Sequence, residues 1–138
     1  AYSMTFNVSG KKLNAILNQR SQDMLVANNW NVCQYAVLVH MLAQVSGLEA
    51  GELVHVIADA HIYDRHIPLV KEVMANPQYD APVFSMNPDI KNFYDFTVDD
   101  FKLENYNASK LSTKIPAFTA ALCDAVRSNN SRIRANVC

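Results

Sequence analysis

Glycine is scarce in this chain, at three residues in 138. That excludes a glycine-rich phosphate loop, so any phosphate bound here must be held by side chains. Cysteine is equally sparse, at Cys33, Cys123 and Cys138. The odd number, with no CxxC pair and no signal-like leader, implies a reducing compartment and a cytoplasmic location. No apolar run approaches the roughly 18 residues that a membrane span needs, so no membrane partner is expected. The formal net charge of −1 offers none of the basic excess that a nucleic-acid duplex calls for. Four histidines, at 40, 55, 61 and 66, have no cysteine partners at ligand spacing, so no metal is expected.

What is present is enough for a core. Half of the residues are hydrophobic and 18% are charged, which sets the chain apart from disordered sequences. The length suits one domain. Tyr2, Met4, Phe6 and Val8 alternate with polar residues, as on one face of a strand. Ser9-Gly10-Lys11 is a turn, and Lys12 to Gln19 alternates again, which predicts a hairpin. Asp23 to Asn29 is a loop or short helical turn. Asn29 can cap a helix from Trp30 to about Ser46, stopped by Gly47. That helix is apolar nearly all round, which predicts a central, buried element. A turn around Gly51 precedes Leu53 to Ala58, a continuous apolar strand expected to be covered on both faces. A helix follows from Asp64 or Arg65 to Ala75, with Pro68 in its first turn, where proline is tolerated. Val83–Met86 and Phe101–Tyr106 have strand patterns, with a turn opened by Thr97 between them. A strand near Lys114–Ala117 and a helix from Phe118 to Val126 complete the reading. The fold class is α/β or α+β.

Two polar clusters stand beside these apolar elements. In Asn18–Tyr35, Arg20 and Ser21 offer a guanidinium fork and a hydroxyl, a suitable pair for a phosphate monoester. Asn31, at a helix start, carries an amide that can read a donor and an acceptor on one base edge. In Asp59–Tyr63, His61 and Tyr63 are alternate residues. They point the same way in an extended segment and could share a sugar hydroxyl. Asp59 could anchor His61 or a backbone turn. Each residue also has an ordinary role open to it: a solvated strand-end arginine, a helix-start asparagine, a half-buried aromatic pair. Cys33 lies about 200° around the helix from Asn31 and has no neighbouring charge to activate it, so inert packing is expected.

Taken together, the motifs resemble a known family. QRSxD at Gln19–Asp23, Trp30-Asn31 leading into QYAVLVHMLAQ, and DxHxY at Asp59–Tyr63 are similar in order and spacing to thymidylate synthase. FYDFTVDDFKLENY resembles that family's later strand region. The resemblance covers Ala1 to about Ala117. It implies a thymidylate synthase-like mixed sheet with a buried central helix, here only its C-terminal portion. It leaves 118–138 as an atypical extension.

The resemblance also implies roles. Arg20 and Ser21 would hold the phosphate of dUMP, Asn31 would read the uracil edge, and His61 and Tyr63 would bind the deoxyribose hydroxyl. Asp59 would support the site, and Asp23 would bind the pterin ring of the co-substrate 5,10-methylenetetrahydrofolate. Asparagine at position 31 favours uracil; the related dCMP hydroxymethylases carry an acidic residue there. In the family a cysteine thiolate adds to C6 of the base, and the activated C5 accepts the one-carbon group. The enzyme is expected to be a homodimer.

The sequence departs from the family pattern at several points. Counted back from QRSxD and DxHxY, the nucleophilic cysteine falls just before Ala1, so this chain alone is expected to be inactive. The N-terminal half of the enzyme is the expected partner. Ala27 stands at a usual glycine, and Ile57-Ala58 replaces a common Gly-Gly. Two other readings remain open: a non-catalytic truncated homologue, and a diverged enzyme acting on another pyrimidine nucleotide.

Overall fold

The computed structural model describes residues 1–113. The expected strand near Lys114–Ala117 and the helix from Phe118 lie outside the described residues. The elements run β1 (Ser3–Ser9), β2 (Lys12–Asp23), α1 (Asn28–Val45), β3 (Glu49–His61), α2 (Ile67–Ala75), β4 (Val83–Met86) and β5 (Phe101–Glu104). Short 3₁₀ turns occupy Asp64–His66, Phe93–Asp95 and Val98–Asp100. The class is mixed α+β.

The first sheet has the order β1-β2-β3. β1 and β2 form the hairpin expected from the Ser9-Gly10-Lys11 turn, antiparallel and in register from Ser3↔Asn18 to Ser9↔Lys12. β2 and β3 are parallel, joined by the α1 crossover. One face of β2 presents Leu13, Ala15 and Leu17, all buried, and α1 places Val39 and Ala43 against it. A second, two-stranded sheet pairs β4 with β5 antiparallel. Gln44 Nε2 ties α1 to that region by donating to the carbonyls of Asn87 and Ile90, each at 2.9 Å. Phe84, Phe101 and Phe96 stack in sequence beside it.

Several expectations change. β2 runs on to Asp23, so Arg20 and Ser21 lie inside a strand and not at its end. β3 likewise begins at Glu49 and extends through Asp59 to His61. Pairing with the long β2 carries both strands past their apolar stretches. Gly51 therefore sits within a strand, at a register shift between Leu13 and Ala15. A Cβ there would collide with the Asn14 side chain and come within 2.9 Å of the Leu13 carbonyl. Asn14 Oδ1 uses the space to accept the Glu52 amide at 2.9 Å.

The helix starts at Asn28, with Ala27 at the cap position and no side-chain cap from Asn29. Its apolar surface is only partly used among the described residues, where Val39 and Ala43 alone are buried. Cys33, expected to be packed, is exposed. β3 was expected to be covered on both faces, but Val54 and Val56 are 48% and 49% exposed. α1 covers one face of the three-stranded sheet, and no described element covers the other. No helix among the described residues is long and apolar enough to cross a membrane.

Candidate functional site

The carboxyl ends of the two parallel strands stop beside the start of α1. Ligands of sheets with parallel strands often sit in such a position. The pairing Ser21↔Asp59 and Asp23↔His61 places the two polar clusters side by side. Directly paired residues share a sheet face. Ser21 and Asp23 therefore stand directly beside Asp59 and His61 across the two strands.

A cleft of about 710 Å³ opens there. Arg20, Ser21, Asp23, Asp59, His61 and Tyr63 line it, together with Val26, Ala27, Trp30 and Ile62. Six of the seven residues singled out in sequence thus meet in one cavity. Asn31 is the exception. Its Oδ1 lies 3.4 Å from Gln19 Nε2, whose two hydrogens are shared with Gln22 Oε1 and the Ser21 carbonyl.

Local bonds fix the lining. Ser21 Oγ donates to Asp59 Oδ2 at 3.3 Å. His61 Nδ1 lies 3.6 Å from Asp59 Oδ2 and 3.3 Å from the Asp59 carbonyl. Asp23 Oδ1 accepts the amides of Leu25 and Val26, both at 3.0 Å. That closes an Asx-type turn between strand and helix and holds the carboxylate at the cleft. The His61 and Tyr63 rings meet edge to face, with centroids 5.2 Å apart. Trp30 projects into solvent at 80% exposure and forms an aromatic wall.

Sequence reading missed the support beneath. Gln19 and Gln22 are buried. Gln19 Nε2 donates to Gln22 Oε1 and to the Ser21 carbonyl, and its Oε1 faces His55 Nε2 at 2.9 Å. The available signal was the strand period. Gln19 follows Leu13, Ala15 and Leu17 in the inward alternation, so a polar residue there needs buried partners. Cys33 lines a different cavity, with Tyr35, Met41 and Phe96. No group of three potential metal ligands occurs among the described residues.

A mixed sheet with a side-chain-built polar cleft at its parallel carboxyl ends defines an α+β protein with a site suited to a polar, anionic ligand. The chain belongs to the thymidylate synthase family, whose profile matches residues 1–117. It is 46% identical over 116 residues to thymidylate synthase 1 of Bacillus amyloliquefaciens, covering 83% of this chain and 50% of that one. With the thymidylate synthase of Bacillus licheniformis the identity is 48% over 115 residues, covering 83% and 41%. The solved thermostable thymidylate synthase A from Bacillus subtilis superposes with a TM-score of 0.77 at 45% identity, covering 81% of this chain and 41% of that one. The chain spans half or less of the length of these relatives.

Proposed function

We propose that the cleft is the dUMP and folate site of a thymidylate synthase. In this reading the chain acts with the Cys-bearing N-terminal half of the enzyme, in a cytoplasmic homodimer, to convert dUMP to dTMP. Residues 1–117 form the nucleotide-binding portion, and 118–138 an extension. The observation that carries the reading is the meeting of Arg20, Ser21, Asp23, Asp59, His61 and Tyr63 in one cleft of a family member.

The chemistry of each group suits its part. Arg20 supplies a permanent cation and paired donors for a phosphate. Ser21 adds a hydroxyl donor, released from Asp59 by a small rotation about its side-chain bond. His61 and Tyr63 present two polar tips for the deoxyribose hydroxyl. Asn31, whose amide oxygen faces Gln19, keeps its NH₂ to donate to a base carbonyl such as that of uracil.

The same cleft fits a reduced pterin. Asp23 is held by its turn and can accept from ring N–H groups, while Trp30 and Val26 offer flat and apolar surface. Bound there, 5,10-methylenetetrahydrofolate would supply the one-carbon unit and the hydride that completes the methyl group. This chain's residues bind, orient and partly desolvate the reactants. The nucleophilic thiolate is assigned to the N-terminal half, since Cys33 lines another cavity.

Calorimetric titration of the purified chain provides the test. dUMP is expected to bind weakly and better than dCMP. Arg20→Ala should lower its affinity at least tenfold, in keeping with about 1.5–3 kcal/mol for a hydrogen bond to a charged group. Equal affinity for dUMP in wild type and Arg20→Ala would defeat the assignment. A chain that ignores all pyrimidine nucleotides would be a non-catalytic homologue instead.

A further inference from the structure

Tyr63 is gripped from three sides. His61 meets its ring edge to face at 5.2 Å and 81°. His66 meets it edge to face at 5.6 Å and 86°. The Arg65 guanidinium carbon lies over the ring, 5.2 Å from its centroid. The three contacts differ in anchorage. His66 is only 1% exposed, whereas Tyr63 is 42% exposed. One partner is locked in the interior and the other is presented at the cleft.

The backbone explains the pairing. The His66 amide donates to the Tyr63 carbonyl at 2.8 Å, closing the 3₁₀ turn before α2. Tyr63 is the extended residue that precedes the turn, and this bond brings His66 back beneath it, within reach of its ring. Leu69, also buried, holds the first turn of α2 against the interior. Among the described residues neither His66 nitrogen has a hydrogen-bond partner. Burying an imidazole this way is unfavourable unless its ring repays the cost in packing. The ring's close aromatic neighbour is Tyr63.

We propose that His66 is a positioning residue, whose buried ring fixes the Tyr63 phenol for its contact with the sugar hydroxyl. Its action on the ligand rests on the nucleotide reading above, but its action on Tyr63 does not.

The experiment uses the whole 138-residue chain with two variants of His66. His66→Phe keeps a ring edge and removes the nitrogens. His66→Leu keeps an apolar filling and removes the edge. The ring signals of Tyr63 are followed by NMR with labelled tyrosine and assigned by their loss in Tyr63→Phe. Affinities are measured for dUMP and for its 3′-deoxy analogue, which lacks the hydroxyl. In His66→Phe the Tyr63 signals and the preference for dUMP should persist. In His66→Leu the ring signals should average toward those of a free tyrosine. dUMP affinity should then fall about fivefold, the size of one modest hydrogen bond, with the analogue unchanged.

Unchanged Tyr63 signals in folded His66→Leu would overturn the proposal. So would a His66→Phe chain that behaves like His66→Leu. If His66→Leu loses its fold by circular dichroism, His66→Phe decides alone, by retained or shifted Tyr63 signals. A ring that depends on His66 in a chain that does not prefer dUMP over the analogue would support the positioning and defeat the nucleotide reading.

Discussion

Ser21 Oγ donates to Asp59 Oδ2 at 3.3 Å across 38 residues of sequence. The two are register partners in adjacent parallel strands, so the bond measures how the QRSxD and DxHxY motifs are aligned. A slip of one residue would turn every side chain of one motif away from the other. The site therefore depends on whatever fixes this register.

Gly51 is one such feature, because the strand irregularity there is built around the Asn14 side chain. Gly51→Ala should displace that side chain and press on the Leu13 carbonyl. A loss of about 1–3 kcal/mol is expected, as for other overpacked sites. Chemical denaturation checks it. Asn14→Ala in the same background should recover only part of the loss, since the contact with the backbone carbonyl remains.

Gln19 is a second. It joins Gln22, His55, Asn31 and the Ser21 carbonyl, so truncation strands several partners at once. Gln19→Ala should cost about 1–3 kcal/mol, the usual penalty for leaving buried polar groups unpaired. It should also blur discrimination between dUMP and dCMP, because Asn31 loses its orientation. Unaltered discrimination in a destabilised variant would show that Asn31 is held by other contacts.

Asn31→Asp tests base reading directly. An acidic side chain exchanges the amide donor for an acceptor, suited to the amino group of cytosine. The preference for dUMP over dCMP should narrow or reverse in competitive titrations. A variant that keeps the wild-type ratio would remove Asn31 from the site.

Asp100 gives the chain an acid-sensitive joint. In the folded chain the Asn87 side chain, then the Thr97 amide and hydroxyl, hold its carboxyl below the usual carboxylate value. Unfolding releases those bonds. The stabilisation is thus complete above the unfolded value and is lost as pH falls through the depressed folded one. Glu72 behaves alike through the Ser112 hydroxyl and amide. Carboxyl-carbon NMR titration should show both midpoints depressed, with that of Asp100 rising in Asn87→Ala.

The sheet face that no described element covers has its own consequence. Ile16, Val54 and Val56 are 42%, 48% and 49% exposed on the face turned away from α1. An apolar patch on a sheet favours association. In sedimentation the chain should run above its 15.5 kDa monomer mass, and Val54→Lys should shift it downward. A wild-type chain that sediments as a monomer at micromolar concentrations would count against this.

The sequence carried much of the local structure because local rules wrote it. The turn around Gly10 closes a hairpin, Gly47 ends α1 with φ 67°, and Pro68 opens α2. Thr97 and Asp100 form a reciprocal capping box. Strand ends were less legible. β2 and β3 persist past their apolar residues because each offers the other a hydrogen-bonding edge, which no periodicity records.

Of the candidate site, the sequence alone determined the chemical inventory: a cation, a hydroxyl, two carboxylates, an amide and a His–Tyr pair, in the order and spacing of one family. Side-chain chemistry and order along the chain are properties of the residues themselves. Only the tertiary structure decided that Ser21 meets Asp59 and Asp23 meets His61, that Asn31 rests on Gln19 outside the cleft lining, and that Tyr63 leans on His66. Those relations arise where the strand carrying one motif pairs in parallel with the strand carrying the other, and where a 3₁₀ turn brings one ring beneath another. They exist only once the backbone hydrogen bonds have formed.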